Sequence, residues 1–303
     1  MAFEATLVPR QPYSLALSVR GRGDPTRRFR DGVLSLVVNG RNGPALAHVH
    51  QRRDGSLAAR IEGTARDDAA ARDALERLRF VLAVDADHRP FLERFRDDPL
   101  LAEPIRRLRG LRPLRTATVT HALLKALCGQ LIQVRAAKLL EARILRFAST
   151  QCGDLLAPPA DADLARYPPA TLVAHGLAAR RAAALVRISR SWDVEKLHGV
   201  ATEAAAARIE REPNLGPWSS GMVVTFGLGR FDCGLVGDLG LIKLCRRLLR
   251  RDADADDTRE LLARYGEWAG LASVYLLAGS GGAVAKPVYR ALATKPPLPR
   301  ATR

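Results

Sequence analysis

Hydrophobic spacing changes character along the chain. Near the N-terminus apolar residues recur at every second position, the period of a strand with one buried face. Tyr13, Leu15, Leu17 and Val19 fall on one side of such a segment, which predicts a first strand. Residues 33–38 form a denser apolar run ending in Asn39-Gly40-Arg41-Asn42-Gly43, a hairpin signal, with residues 46–50 as the returning strand. Arg53-Asp54-Gly55-Ser56 reads as a second turn and residues 57–61 as another short strand. His48 and His50 share one strand face, but no third ligand accompanies them, which disfavours a metal.

A helical period takes over near Asp67, read as an N-cap, with Leu75, Leu78 and Leu82 at three- and four-residue steps. This predicts a β-rich module over residues 1–86, closed by a helix. Helices dominate from there on. Short ones are predicted at 91–95 and 100–108, before a break at Gly110. Thr120 is expected to cap a helix through Leu123, Leu124 and Leu127. A turn at 130–133 precedes a helix with the apolar stripe Leu140, Ile144 and Phe147. After Pro158-Pro159 and Pro168-Pro169, helices are expected at 179–192 and 200–212, and a loose tail from Lys295 through Pro296, Pro297 and Pro299.

A length of 303 residues allows two or three substructures, and an apolar content of 47% excludes wholesale disorder. The 48 basic residues exceed the 32 acidic ones by 16, and only six are Lys. Codon bias in a GC-rich genome accounts for Arg over Lys but not for the net charge. The basic residues are spread along the chain, so they predict a basic face on a folded protein that meets a polyanion, DNA or RNA. Cys128, Cys152, Cys233 and Cys245 show no C-x-x-C spacing and no neighbouring His, which argues against a zinc cluster. No basic start followed by an apolar run suggests a secretory signal, and no apolar stretch reaches the roughly 18 residues of a membrane span. The expectation is a cytoplasmic protein with reduced thiols.

The candidate chemistry lies in Glu212-Pro213-Asn214-Leu215-Gly216-Pro217-Trp218-Ser219-Ser220-Gly221. A helix ends, Asn-Leu-Gly turns, and Pro217 suits the first turn of a new helix. Such a hairpin presents backbone N–H groups able to hold a phosphate oxygen. Downstream, Phe231-Asp232-Cys233-Gly234-Leu235-Val236-Gly237-Asp238-Leu239-Gly240-Leu241 places Asp238 22 residues after Gly216, directly before an apolar helix over 239–249.

With both halves in view, the sequence resembles the helix-hairpin-helix DNA glycosylases, nearest to 3-methyladenine DNA glycosylase II. Their hairpin reads like L-P-G-[IV]-G-x-[WK]-[ST]-A, and Val236–Leu241 reproduces the V-G-D-L-G-L phrase of that branch. Residues 121–140, with Gln130, and 164–185, with Gly176-Leu177 and Arg180-Arg181, are similar to further family segments. The resemblance spans roughly residues 75–280. It implies an α+β fold: a small N-terminal antiparallel β-sheet domain (1–86), then two helical sub-domains, one from 87–118 with 231–303 and one from 119–230 carrying the hairpin.

By resemblance, the chain is a monofunctional glycosylase of base excision repair, releasing alkylated purines after base flipping. Asp238 is then the catalytic carboxylate, stabilising positive charge on the sugar. A cationic lesion leaves without a general acid and stacks on aromatic rings. Trp218, Met222, Trp268 and Tyr265 are the expected pocket residues. Asn214, Leu215, Gly216, Pro217, Ser219, Gln130 and Leu131 are the expected DNA contacts, with Leu131 as the wedge. Asp232 and Glu267 are the competing acids. Trp218 stands where bifunctional relatives carry a nucleophilic Lys, which implies no strand-nicking lyase. Met222 replaces an aromatic residue common in this pocket, which leaves a hypoxanthine, uracil or oxidised-purine glycosylase as an alternative. A non-catalytic DNA-binding hairpin protein is another, and an RNA-binding helical protein has no motif behind it. No cofactor and no catalytic metal are expected, although the family suggests a monovalent cation at the Asn214 and Gly216 carbonyls. The expected partner is damaged double-stranded DNA, with no membrane, met by a monomer at the nucleoid.

Overall fold

The computed structural model describes residues 2–19, 24–63 and 68–279. The Asp67 cap and the tail from Lys295 with Pro296, Pro297 and Pro299 lie outside the described residues. Five strands, Phe3–Leu7 (β1), Arg27–Arg30 (β2), Val33–Gly40 (β3), Gly43–Gln51 (β4) and Leu57–Glu62 (β5), form one antiparallel sheet in the order β1-β5-β4-β3-β2. Alternation sets its faces: Ala45, Ala47 and Val49 of β4 turn inward, while His48 and His50 turn away. The β3–β4 hairpin closes between Gly40 and Gly43, so Asn39–Gly43 makes the predicted turn. The His48 Nδ1 lies 2.9 Å from the Ser35 hydroxyl, an ordinary cross-strand pair.

Tyr13–Val19 is not a strand. Ser14 caps a one-turn helix, Leu15–Ser18 (α1), accepting from the Leu17 N–H at 3.3 Å, while the Ser18 hydroxyl donates back to the Ser14 carbonyl at 2.7 Å. Alternation over four positions fits either element when a Ser can close a local turn. The edge strands β1 and β2 escape a periodicity reading because they are short, and β2 reads Arg-Arg-Phe-Arg, the charged composition of a protected edge.

Helices follow at Asp68–Leu82 (α2), Arg89–Arg94 (α3), Ala102–Arg107 (α4), Val119–Gly129 (α5) and Val134–Ala148 (α6). A two-residue-per-strand hairpin, Gln151–Cys152 (β6) with Leu155–Leu156 (β7), comes next. Then come Asp161–Ala165 (α7), Pro169–Ala174 (α8), Ala179–Ser191 (α9), Thr202–Glu210 (α10), Pro217–Met222 (α11), Leu239–Leu249 (α12), Ala255–Ala263 (α13) and Ala269–Gly279 (α14). The cap of α5 is Thr118, which accepts from the His121 N–H at 3.1 Å; Thr120 is buried in the first turn and donates to Asp161 at 2.8 Å. The sequence offers two threonines, and the one whose backbone is extended takes the cap.

Apolar burial falls into three main clusters. One fills the space between the sheet and α2, around Leu34, Val38, Ile61, Leu78 and Leu82. A second lies among α5, α6, α9 and the 215–228 segment, with Leu124, Ile144, Leu185 and Val224. The third joins residues 91–111 to residues 235–276, through Phe91, Leu101, Leu241 and Tyr275. The chain therefore leaves the third cluster, builds the second, and returns. An open cleft of about 1230 Å³ is lined by residues of the third cluster, such as Leu235 and Met222, and by residues of α5, α6 and α9, such as Gly129, Val134 and Ala179.

Candidate active site

The hairpin forms as the residue types require. α10 ends at Glu210, Asn214 adopts a left-handed φ of 72°, and the Leu215 N–H closes the turn on the Glu212 carbonyl at 3.1 Å. Gly216 is extended, with φ −121°, and a Cβ built there would meet nothing within 4 Å. Neither strain nor internal packing demands glycine at 216, so the open space faces whatever approaches the hairpin. Pro217 starts α11, which continues without a break into a π-turn, Val223–Leu228. Such turns cluster at functional sites, and this one hands the chain to the loop carrying Asp238.

That loop is pinned on both sides. Gly221 packs so closely that a Cβ there would lie 2.4 Å from the Gly234 carbonyl oxygen. The Leu235 N–H donates to the Ser273 hydroxyl at 3.1 Å and the Gly237 N–H to the Thr258 hydroxyl at 2.8 Å, with Gly237 at φ +83°. Asp238 then caps α12. Its Oδ1 accepts from the Gly240 N–H at 2.7 Å and the Leu241 N–H at 3.3 Å, while its Oδ2 accepts from the Trp218 indole N–H at 3.1 Å. The carboxylate is half-buried and lines the cleft beside Trp218, Met222, Phe226, Leu235 and Val236.

Across the cleft stands the α5–α6 turn. Gln130 anchors it, donating to the Asn214 carbonyl at 2.7 Å and the Ser219 hydroxyl at 3.0 Å. The next residue, Leu131, is a β-unlike, left-handed leucine at φ 56° with 82% of its surface exposed. A large apolar side chain held out to water on a strained backbone is the reverse of what folding alone favours. Lys138, Arg180, Arg181 and Lys243 add positive charge around the opening.

Of the predicted site residues, Asp238, Trp218, Met222, Gln130, Leu131, Asn214, Gly216, Pro217 and Ser219 all line this one cleft. Tyr265 and Trp268 do not. Tyr265 is 1% exposed in the third core cluster, edge-on to Phe95, and Trp268 packs 5.9 Å from Phe91. An aromatic near the end of a helical chain satisfies core and pocket readings equally, and here the core takes both. The side chains of Leu215 and Ser219 also turn inward, and the Ser219 N–H donates to the Gly216 carbonyl at 2.8 Å. Asp232 is exposed away from the cleft, and Glu267 pairs with Arg94 at 3.2 Å. A cation at the hairpin carbonyls would have to share them with hydrogen bonds already made. The Gly216 oxygen already accepts from Ser219 and Ser220, and the Asn214 oxygen from Gln130. The wall residues Phe226, Leu235 and Lys243 carry no motif that would have flagged them; only burial and position show them.

Behind the α5–α6 turn lies a buried ionic cluster. Lys125 of α5 donates to Glu141 of α6 at 2.6 Å and to Asp24 of the sheet module at 3.1 Å; His121 meets the same Glu141 oxygen at 2.8 Å. Burial alone would depress the Lys125 pKa, but Asp24 and Glu141 outweigh it and hold the amine above its ordinary range. Burial opposes ionisation of both carboxyls too, yet Lys125 holds each below the ordinary range, Asp24 well below it. His121 is depressed by burial and then by Lys125. Asp24, His121 and Glu141 approach metal-ligand spacing, but the lysine ammonium occupies the position between the carboxylates.

The described residues thus combine an N-terminal antiparallel sheet, a helical body, a helix-hairpin-helix and a helix-capping carboxylate on the cleft wall. No family profile matches the chain. It is 26% identical over 210 residues to the DNA-3-methyladenine glycosylase of Bacillus subtilis, covering 64% of this chain and 67% of that protein. Its fold superposes on the 3-methyladenine DNA glycosylase of Archaeoglobus fulgidus with a TM-score of 0.78 at 18% identity, over 90% of this chain and 97% of that one. The 8-oxoguanine glycosylase/lyase of Clostridium acetobutylicum gives 0.71 at 15% identity, over 91% and 97%. The chain thus shares its fold with solved 3-methyladenine and 8-oxoguanine DNA glycosylases, and its sequence is similar to that of a DNA-3-methyladenine glycosylase.

Proposed function

We propose that the protein is a DNA N-glycosylase that releases alkylated purines and acts without strand cleavage. The observation that carries this reading is the convergence on one cleft of a helix-capping carboxylate, an exposed left-handed leucine and a DNA-type hairpin. The hairpin N–H groups hold a phosphate and fix the register of the duplex. Leu131 fills the gap left when the damaged nucleotide rotates out. The extruded base enters the apolar end of the cleft, between Trp218, Met222 and Phe226. As the bond from C1′ to the base nitrogen breaks, its electron pair leaves with the base and positive charge grows on the sugar. Asp238 stabilises that charge, and a water oxygen bonds to C1′ and gives up its proton to solvent. An alkylated purine is already cationic and departs neutral, which suits a cleft where, among the described residues, the one acid besides Asp238 is Glu141, committed to Lys125 and His121.

Trp218 brings no amine to C1′ at the position where a lyase keeps lysine. Lys125, the amine deepest on the cleft wall, is held as the ammonium by its two carboxylates. Borohydride trapping on a duplex with an abasic site is therefore expected to give no covalent adduct; a trapped adduct removes the monofunctional assignment. The decisive experiment replaces Asp238 with Asn and offers duplexes containing 3-methyladenine, 7-methylguanine, hypoxanthine, uracil or 8-oxoguanine, followed by alkali. Wild-type protein should yield alkali-dependent breaks at methylated purines. Asp238→Asn should lose at least about 100-fold in rate, the scale of one preorganised electrostatic group, while still binding DNA. Undiminished release by that variant overturns the assignment.

A further inference from the structure

The geometry points to Trp218 as the positioning residue for Asp238, an assignment that rests on the catalytic reading of that carboxylate. A tryptophan on an apolar cleft wall is ordinarily read as a stacking surface for a base. Here its polar edge is committed. The indole N–H donates to Asp238 Oδ2 at 3.1 Å, while Oδ1 is held by two backbone N–H groups of α12. Fixing one oxygen to the helix leaves the other free to swing about the Cβ–Cγ bond. The indole removes that freedom, and the plane of the carboxylate is set.

The ring is itself held from behind. A Cβ at Gly129 would lie 2.8 Å from the indole Cη2, so glycine at the end of α5 is the room the tryptophan occupies. The following residue, Gln130, grips the hairpin at Asn214 and Ser219. One ring therefore joins the turn bearing Leu131, the hairpin helix and the acid. With both oxygens accepting hydrogen bonds, the carboxylate is suited to stabilise charge through space, and bond formation at C1′ falls to water.

The test removes the donor and keeps the shape. Benzothienylalanine at position 218 replaces the indole N–H with sulfur in a ring of the same size, and Trp218→Phe is the genetic counterpart. Single-turnover base release from a 7-methylguanine duplex at saturating enzyme should fall about 10- to 100-fold in the isostere, the range for a hydrogen bond to a charged group. The apparent affinity for the duplex should change much less. Placed on top of Asp238→Asn, the isostere should cost little more, because the two residues act as a unit. An isostere that releases base at the wild-type rate overturns the inference and leaves Trp218 as a wall.

A second measurement stands apart from catalysis. In the free protein the Trp218 indole ¹H–¹⁵N resonance should move, and exchange faster with solvent, on going from wild type to Asp238→Ala. An unmoved resonance overturns the inference whether or not base is released. Full activity in Asp238→Asn overturns the catalytic reading instead.

Discussion

The proposed wedge role of Leu131 can be tested apart from its effect on folding. Left-handed backbone costs a non-glycine residue about 1–2 kcal/mol, and its exposed side chain returns no burial energy. Replacing it with Gly relieves the backbone but adds about 0.5–1 kcal/mol of chain entropy in the unfolded state. The two effects nearly cancel. Leu131→Gly is therefore expected to change stability by less than about 1 kcal/mol in denaturant titration. Base release from a paired lesion should nevertheless fall at least about tenfold, because nothing fills the emptied stack. The same variant acting on a lesion opposite a gap, where no stack needs filling, should recover most of the loss. Equal losses on both substrates would remove the wedge role.

At the scale of elements, the sheet module is tied through charge to α5 and α6, the helices that flank the Leu131 turn. Asp24, Lys125, Glu141 and His121 lie on three segments that share no local sequence, and all are largely buried. Deleting one partner of a buried ion pair costs about 3–5 kcal/mol, which is the expected loss for Glu141→Ala. The pH dependence has one sign. His121 is depressed in the folded state, so on acidification the unfolded chain takes up the proton first, and stability falls as pH drops below about 6.5. Asp24 and Glu141 are depressed as well, so their contribution is full above the ordinary carboxylate range and is lost further below about pH 4. A thermal midpoint that stays level from pH 7.5 to 4.5 would contradict the His121 step. This cluster also marks where the sequence stops being legible. The hairpin and the helix start at Asp238 follow local rules of turn residues and caps, so the order of Asn214, Pro217, Gly237 and Asp238 suffices to read them, whereas nothing in residues 223–228 announces the π-turn. Lys125 and Glu141 look like ordinary helix charges until folding brings Asp24 to them. Tyr265 and Trp268 fail for the same reason in reverse: their chemistry suits a base pocket, and only three-dimensional packing assigns them to the core.

On the scale of the whole molecule, the excess of 16 positive charges becomes a testable statement about DNA. Net charge draws a polyanion from a distance, but affinity in salt reports only those phosphates actually neutralised, each contributing about −0.9 to the slope of log K against log salt. Four cations, Lys138, Arg180, Arg181 and Lys243, line the cleft. If each meets one phosphate, the slope for an undamaged duplex is about −3.6, and affinity falls about 150-fold between 50 and 200 mM salt. Fluorescence anisotropy on a short labelled duplex measures this directly. Arg180→Gln with Arg181→Gln should bring the slope to about −1.8, because two of the four contacts are gone. The hairpin N–H groups are neutral and release no counterion, so their share of the affinity should persist at high salt. A wild-type slope near −1 would place the affinity in that neutral clamp and leave the surface charge a matter of attraction at long range.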